Sequence, residues 1–244
     1  MAGGEAPLSF NAWLRYDTVL RMLRSVPEAS TFLEIGCGQG AFGTRLAIDY
    51  DYLGFEPDEA SCRVADERLA AVGAGRVVNS PLPREPLGQF DLVGAFEVLE
   101  HLEDDAAALA QWADWVRPGG RLVLSVPAHP HRFGPWDVEV GHYRRYDRRS
   151  LAALLVACGF EPPEIRIYGF PLGYLLEAAR NRFAGDEEEL SVEERTARSG
   201  RRLQPAAGLG WMPRVATVPF RWMQRPFAQT ELGTGYVALA ERPS

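Results

Sequence analysis

The chain has 244 residues, of which 46% are hydrophobic and 24% charged, with 26 basic against 33 acidic for a formal charge of −7. That composition excludes a disordered, collagen-like or coiled-coil chain, and the acidic balance argues against a nucleic-acid-binding surface over the whole molecule. All the basic residues are Arg and none is Lys, which excludes a Schiff-base lysine, a phosphate-loop lysine or any other amine nucleophile.

An N-terminal helix is expected over 8–25, where Leu8, Trp13, Leu14, Val19, Leu20 and Leu23 recur at helical spacing. From Thr31 onward, short apolar runs alternate with helical patterns, the signature of a parallel sheet covered by helices. Strands are expected at 31–36, 51–56, 75–79, 90–96, 120–126, 164–169 and 234–240. Helices are expected at 41–49, 58–72, 103–116 and 150–158, with Asp58 and Ser150 as N-terminal caps. Residues 171–230 break the rhythm with an acidic run at 186–189, an arginine run at 195–202 and an apolar, Trp-rich stretch. They read as a mostly helical insertion before the last strand, mobile around 184–205, within a single domain spanning 1–244. Cys37, Cys62 and Cys158 are too few and too scattered for a disulfide or zinc framework. With no leader-like start and no apolar run of membrane-spanning length, a cytoplasmic protein without a transmembrane segment is expected.

The strongest local signal is Leu33-Glu34-Ile35-Gly36-Cys37-Gly38-Gln39-Gly40, a strand running into a glycine loop that opens a helix. Such a loop lets a nucleotide-like ligand approach the backbone at the carboxyl ends of the strands. Residues 38–43 also satisfy the Gly-x-Gly-x-x-Gly spacing, so the loop alone leaves a dinucleotide reading open. Glu34 tilts against it, because an acid beside pyrophosphate repels, whereas a cationic ligand welcomes it. Glu56, ending the next strand, suits both ribose hydroxyls of either cofactor.

Together with Phe90-Asp91-Leu92-Val93-Gly94-Ala95-Phe96-Glu97-Val98-Leu99-Glu100-His101 and Arg117-Pro118-Gly119-Gly120-Arg121-Leu122, this loop resembles the class I S-adenosylmethionine-dependent methyltransferases. The resemblance implies a Rossmann-like α/β fold: a seven-stranded, mostly parallel sheet with helices on both faces and an antiparallel last strand. It further implies S-adenosylmethionine as cofactor, with Gly36, Gly38 and Gly40 against its methionine and ribose portions. Glu34 would serve its ammonium end, Glu56 the ribose, Asn79 and Ser80 the adenine, and Phe96 and Glu97 the methionine side.

All four histidines, His101, His129, His131 and His142, fall between the fourth strand and the segment after the fifth, the edge where the methyl would emerge. His142, His129 and His101 are therefore the candidate catalytic groups, His being the side chain matched to proton transfer near neutrality. The long connection 128–147 reads as a substrate-side loop, with Trp136, Tyr143 and Arg144 as candidate contacts to a small-molecule acceptor. Its arginines have two readings, clamping an acidic acceptor or pairing with Asp137, Glu139 or Asp147 to hold the loop. His101 follows Glu97 by four, so both are expected on one helical face. No Asn/Asp-Pro-Pro-Tyr sequence follows the fourth strand, which in the family disfavours amine acceptors such as bases and glutamine and leaves methylation at oxygen as the expectation. No compact carboxylate cage is seen at this edge, so no metal is expected. The apolar surplus of 171–230 leaves a substrate lid, a homodimer contact and a membrane-surface contact open beside plain core packing.

Overall fold

Strand order reverses in the middle of the sheet, and that reversal positions everything that follows. The computed structural model describes residues 6–26, 28–183 and 211–244. Seven strands, β1 (Thr31–Ile35), β2 (Asp51–Phe55), β3 (Arg76–Val78), β4 (Phe90–Phe96), β5 (Val116–Pro127), β6 (Glu164–Tyr168) and β7 (Gly235–Glu241), form one sheet in the order β3-β2-β1-β4-β5-β7-β6. The first five run parallel, while β7 is antiparallel between β5 and β6. Successive crossovers proceed outward from β1 in one direction and from β4 in the other, which opens a crevice beyond the carboxyl ends of these two strands. The central strands are buried on both faces through Phe32, Leu33, Leu92, Val93, Leu122 and Val123, which is why they read as continuous apolar runs rather than alternating ones.

One helical layer holds α1 (Phe10–Leu23), α2 (Gly43–Leu46) and α3 (Glu59–Val72). Ser9 caps α1 by accepting from the Ala12 N–H at 3.3 Å, and Trp13, Leu14, Val19 and Met22 are buried beneath it. As expected, Asp58 caps α3, accepting from the Ser61 N–H at 2.9 Å. The helix expected over 41–49 contracts to the four residues of α2, because residues 38–42 are spent on the turns of the glycine loop.

The opposite layer holds α4 (Asp105–Trp115) and α6 (Arg148–Ala157). The cap of α6 is Asp147 rather than Ser150: Asp147 accepts from the Ser150 N–H at 2.8 Å and its own N–H donates to Ser150 Oγ, a reciprocal pair that starts the helix earlier than expected. Strand β5 likewise begins at Val116 instead of 120, since Phe90 pairs with Val116 before the register shifts across Gly119, whose φ is 71°. Trp115 is fully buried under this layer, edge-on to Phe55 and stacked on Phe90 with centroids 5.8 and 6.3 Å away.

The expected loop 128–147 contains a 3-10 turn at Pro130–Arg132 and the short helix α5 (Pro135–Val140). Pro135 in the first turn, Asp137 accepting from the Gly134 N–H at 2.9 Å, and Gly141 with φ 79° just past the end account for it. In the insertion, α7 (Leu172–Phe183), α8 (Trp211–Ala216) and α9 (Val218–Met223) are present, while the acidic and arginine runs lie outside the described residues. Gln224 Nε2 donates to the Leu14 carbonyl at 3.0 Å, tying the insertion to α1. Among the described residues no helix is long and apolar enough to cross a membrane.

Truncating Trp115 to Ala empties the largest fully buried side chain of the core and is expected to cost about 3–5 kcal/mol of unfolding free energy in a denaturant titration.

Candidate active site

A cavity of about 1120 Å³ occupies the crevice, larger than the roughly 300–1,000 Å³ usual for a single ligand and so roomy enough for a cofactor beside a small acceptor. Its floor is the glycine loop and the ends of β1, β2 and β4, and its roof includes Arg15 of α1 and Arg180 of α7.

At one end, Gly36, Gly38 and Gly40 all have left-handed φ, at 65°, 56° and 71°. A Cβ on Gly36 would fall 2.9 Å from Val98 Cγ2, and one on Gly40 would fall 3.1 Å from Ala65 Cβ. One on Gly38 would meet no protein atom within 4 Å, so here the backbone is bare toward the cavity. The Gly38 N–H donates to Glu56 Oε2 at 2.8 Å and the Asp58 N–H to Oε1 at 2.9 Å. Burial pushes the Glu56 carboxyl up while these two donors pull it back. Each oxygen keeps a lone pair for a hydroxyl donor in the cavity.

Glu34 is buried beside this loop, accepting from Tyr52 Oη at 2.6 Å. Burial pushes its carboxyl up to about 8, against the opposing effects of Tyr52 and Arg15. Holding the proton at neutral pH avoids an uncompensated buried anion, and a cation arriving in the cavity would restore the charged form. The two buried acids, the bare Gly38 backbone and the volume beyond it thus fit a ligand carrying a ribose and an ammonium group.

Next to them Glu97 directly follows β4 with φ 58°, outside any helix. The expected shared helical face with His101 does not exist, since the chain turns at Glu97 and only then enters the 3-10 turn Leu99–His101. Glu97 Oε1 instead accepts from Ser125 Oγ at 3.0 Å and Tyr168 Oη at 3.3 Å, and pairs with Arg15 Nη1 at 3.2 Å. Burial works to raise its carboxyl, but Arg15 and the Ser125 hydroxyl hold it below the ordinary value.

The other end is built on a chain of buried charge. Arg145 Nη2 donates to Asp137 Oδ2 at 2.7 Å and Arg145 Nε to Oδ1 at 2.9 Å. Arg145 Nη1 also reaches Glu177 of α7, and Arg132 Nε donates to the other Glu177 oxygen at 3.1 Å. Asp137 in turn lies 2.8 Å from His142 Nδ1. Although burial acts to raise it, hydrogen bonds from His142 and Arg145 hold the Asp137 carboxyl down at about 2. The ionised carboxylate therefore fixes the His142 tautomer with Nδ1–H toward Asp137 and the lone pair on Nε2. His101 stands edge-on to His142, centroids 4.7 Å apart, with its Nδ1 3.3 Å from the Gly141 carbonyl. Burial pushes His101 down to about 3, so it is neutral.

Of the residues singled out from sequence, His101, Trp136, His142 and Tyr143 line this end, and Glu34, Gly36, Gly38, Glu56, Phe96 and Glu97 line the other. Five lie elsewhere. Gly40 packs against Ala65 of α3. The Asn79 amide donates to the Glu56 and Pro57 carbonyls at 2.9 and 3.1 Å, and the Ser80 hydroxyl to the Pro81 carbonyl, leaving Pro81 as the wall. His129 sits beside Tyr236 and His131, away from the cavity lining. Arg144 pairs with Asp105 at 2.7 Å, and together with Arg145 and Asp137 this favours the loop-holding reading of these arginines over the clamp. Arg15, Tyr52, Glu177 and Arg180 were not legible as site residues. Arg15 follows Trp13 on a helix that reads only as a cover, and Glu177 and Arg180 sit on an insertion whose path the sequence does not reveal.

A doubly wound sheet with a glycine loop at its switch point, a ribose-suited acid just after β2 and one antiparallel strand inserted between β5 and β6 defines the class I S-adenosylmethionine-dependent methyltransferase fold. The family model described as "Methyltransferase domain" matches residues 10–164, and the chain belongs to that family, whose cofactor is S-adenosylmethionine. A probable S-adenosylmethionine-dependent methyltransferase of Mycolicibacterium smegmatis is 31% identical over 62% of this chain and 60% of its own length. A ubiquinone biosynthesis O-methyltransferase of Acinetobacter baylyi is 31% identical over 38% of this chain and 42% of its own. The match thus spans less than two thirds of either relative. Phosphoethanolamine N-methyltransferase 2 of Haemonchus contortus, solved with S-adenosyl-L-methionine, superposes with a TM-score of 0.61 at 17% identity, over 94% of this chain and 53% of that one, a likeness of fold alone.

Because Glu34 gains its proton on folding, the ligand-free protein should lose stability as pH rises from the ordinary glutamate value near 4.5 to about 8. In that window the unfolded chain has released the proton that the folded one still holds. Glu34→Gln is expected to remove this share of the decline, so that thermal midpoints of variant and wild type diverge toward pH 8 in favour of the variant. Parallel midpoint curves would exclude the buried, protonated Glu34.

Proposed function

We propose that the protein transfers a methyl group from S-adenosylmethionine to a hydroxyl of a small organic acceptor in the cytoplasm. The observation that carries this reading is the Asp137–His142 pair, 2.8 Å apart, at the opposite end of one cavity from the Glu34 and Glu56 carboxylates. The O-methyltransferase relative supports oxygen as the methylated atom.

When bound, S-adenosylmethionine supplies an electrophilic methyl on a sulfonium. The protein's share is alignment and water exclusion, which account for much of the rate of such an in-line displacement. Gly38 and Glu56 hold the nucleoside end, and Glu34 and the Arg15–Glu97 pair frame the amino-acid end. Trp136 and Tyr143 shape the acceptor's side, where His142 Nε2 would accept the proton that the acceptor hydroxyl gives up on methylation. The resulting imidazolium is stabilised by Asp137, in the manner of a buried carboxylate orienting a catalytic histidine. Helix α7 acts as the lid, since Glu177 and Arg180 reach the cavity from it.

Glu56→Ala is expected to weaken S-adenosylmethionine binding by calorimetry while leaving the thermal midpoint nearly unchanged; undiminished affinity would remove Glu56 from the ribose. Incubation with S-adenosylmethionine and paired phenol and amine acceptors, followed by mass spectrometry and NMR of the product, should show an O-methyl group, and an N- or C-methyl product overturns the choice of oxygen. On the acceptor that turns over, His142→Ala should lower kcat by roughly 10²–10⁴-fold with cofactor affinity within twofold.

A further inference from the structure

The Glu100 carboxyl is unexplained by the reading above. It is fully buried, and neither of its oxygens accepts a hydrogen bond from another residue, an arrangement that native structures avoid unless something else satisfies the group. It follows Leu99 in the 3-10 turn that leads out of β4, so the backbone of the sheet edge fixes its place. Its Oε1 lies 3.8 Å from His142 Nε2, and one oxygen of Glu100 and one ring nitrogen of each of His101 and His142 all lie within 4.8 Å of one another.

Both rings are also prepared in the way metal-binding imidazoles are. His142 gives its Nδ1–H to the Asp137 carboxylate and His101 gives its own to the Gly141 carbonyl, which leaves each lone pair on Nε2. A ring nitrogen bound to carboxylate or main-chain carbonyl is the usual outer support of a histidine ligand, because it fixes the tautomer and raises basicity. Asp137 is itself held by Arg145, so that support is rigid. Two neutral imidazoles and one carboxylate suit zinc or a similar first-row ion far better than magnesium or calcium, which prefer oxygen. Bonds of about 2.0–2.2 Å would draw the three donors together by roughly 0.5–1.5 Å, within the reach of side-chain rotation. The donors sit where His101 and His142 face the cavity, so further coordination positions open toward the acceptor.

We propose that Glu100, His101 and His142 form a binding site for a divalent transition-metal ion of the zinc type at the acceptor end of the cavity. The proposal rests on the functional reading only in its consequence: an ion there takes the His142 lone pair and assumes the activation of the acceptor hydroxyl by polarising it. The proposal departs from the expectation that no metal is bound at this edge. The group leaves no compact mark along the chain, because Glu100 and His101 are adjacent while His142 arrives from beyond β5.

The test is a calorimetric titration of chelator-treated, dialysed full-length protein with Zn²⁺, repeated with Co²⁺ to read the visible absorption of its coordination. One equivalent should bind, with Co²⁺ bands of a low-coordinate nitrogen and oxygen site. Glu100→Gln and His142→Ala should lose this binding, and Asp137→Asn should weaken it by roughly 10–100-fold. His131→Ala, on the exposed 3-10 turn, should leave it intact. Retained binding of S-adenosylhomocysteine reports that each variant is folded. No stoichiometric binding by wild type, or binding that survives Glu100→Gln but not His131→Ala, overturns the proposal. O-methyl product formed in excess chelator by a protein that binds no Zn²⁺ would sink the metal site and leave the transferase reading standing; a bound ion without any methyl transfer would do the reverse.

Discussion

Burying a carboxylate is costly unless each charge is paired or protonated, and among the described residues five carboxyls, Glu34, Glu56, Glu100, Asp137 and Glu177, are buried at or beside one cavity, with a sixth, Glu97, half-buried there. The site is organised around how each is settled. Glu34 keeps its proton, Glu56 takes two backbone N–H donors from the glycine loop, and Glu97 takes Arg15. Asp137 and Glu177 share Arg145. Glu100 has no hydrogen-bond donor on either oxygen, burial pushes its carboxyl up, and it sits against the two histidines that face the cavity.

These settlements connect elements far apart in the chain. Arg15 brings α1 to the end of β4, and Glu177 brings α7 to the segment after β5. The cover of the cavity is therefore fastened by the same ion pairs that position its chemistry. A change in the insertion that displaced Glu177 would release Arg145, and with it the carboxylate that orients His142.

The glycine loop shows a division of labour among three residues that look alike in sequence. Gly36 and Gly40 have no room for a side chain against Val98 and Ala65, so they close the loop onto the fold. Gly38 has room, and its N–H instead anchors Glu56. At that one position the backbone is bare toward the cavity.

Local signals determined the sheet. Seven apolar runs, the glycine loop after the first and the acid after the second were legible, because buried parallel strands and tight turns each leave a short, contiguous mark. Helix ends were less so: Ser150 and Asp147 are both plausible caps, and only the reciprocal hydrogen bonds decide between them. The clustering of histidines placed them at one edge of the sheet, but only the fold separates them, since His129 turns toward Tyr236 while His101 and His142 come edge to edge at the cavity. Arg15 and Glu177 acquire meaning only in the tertiary structure. A charged residue on a helix or loop is usually solvated, and nothing in its neighbours along the chain says that folding will bury it against a partner many residues away.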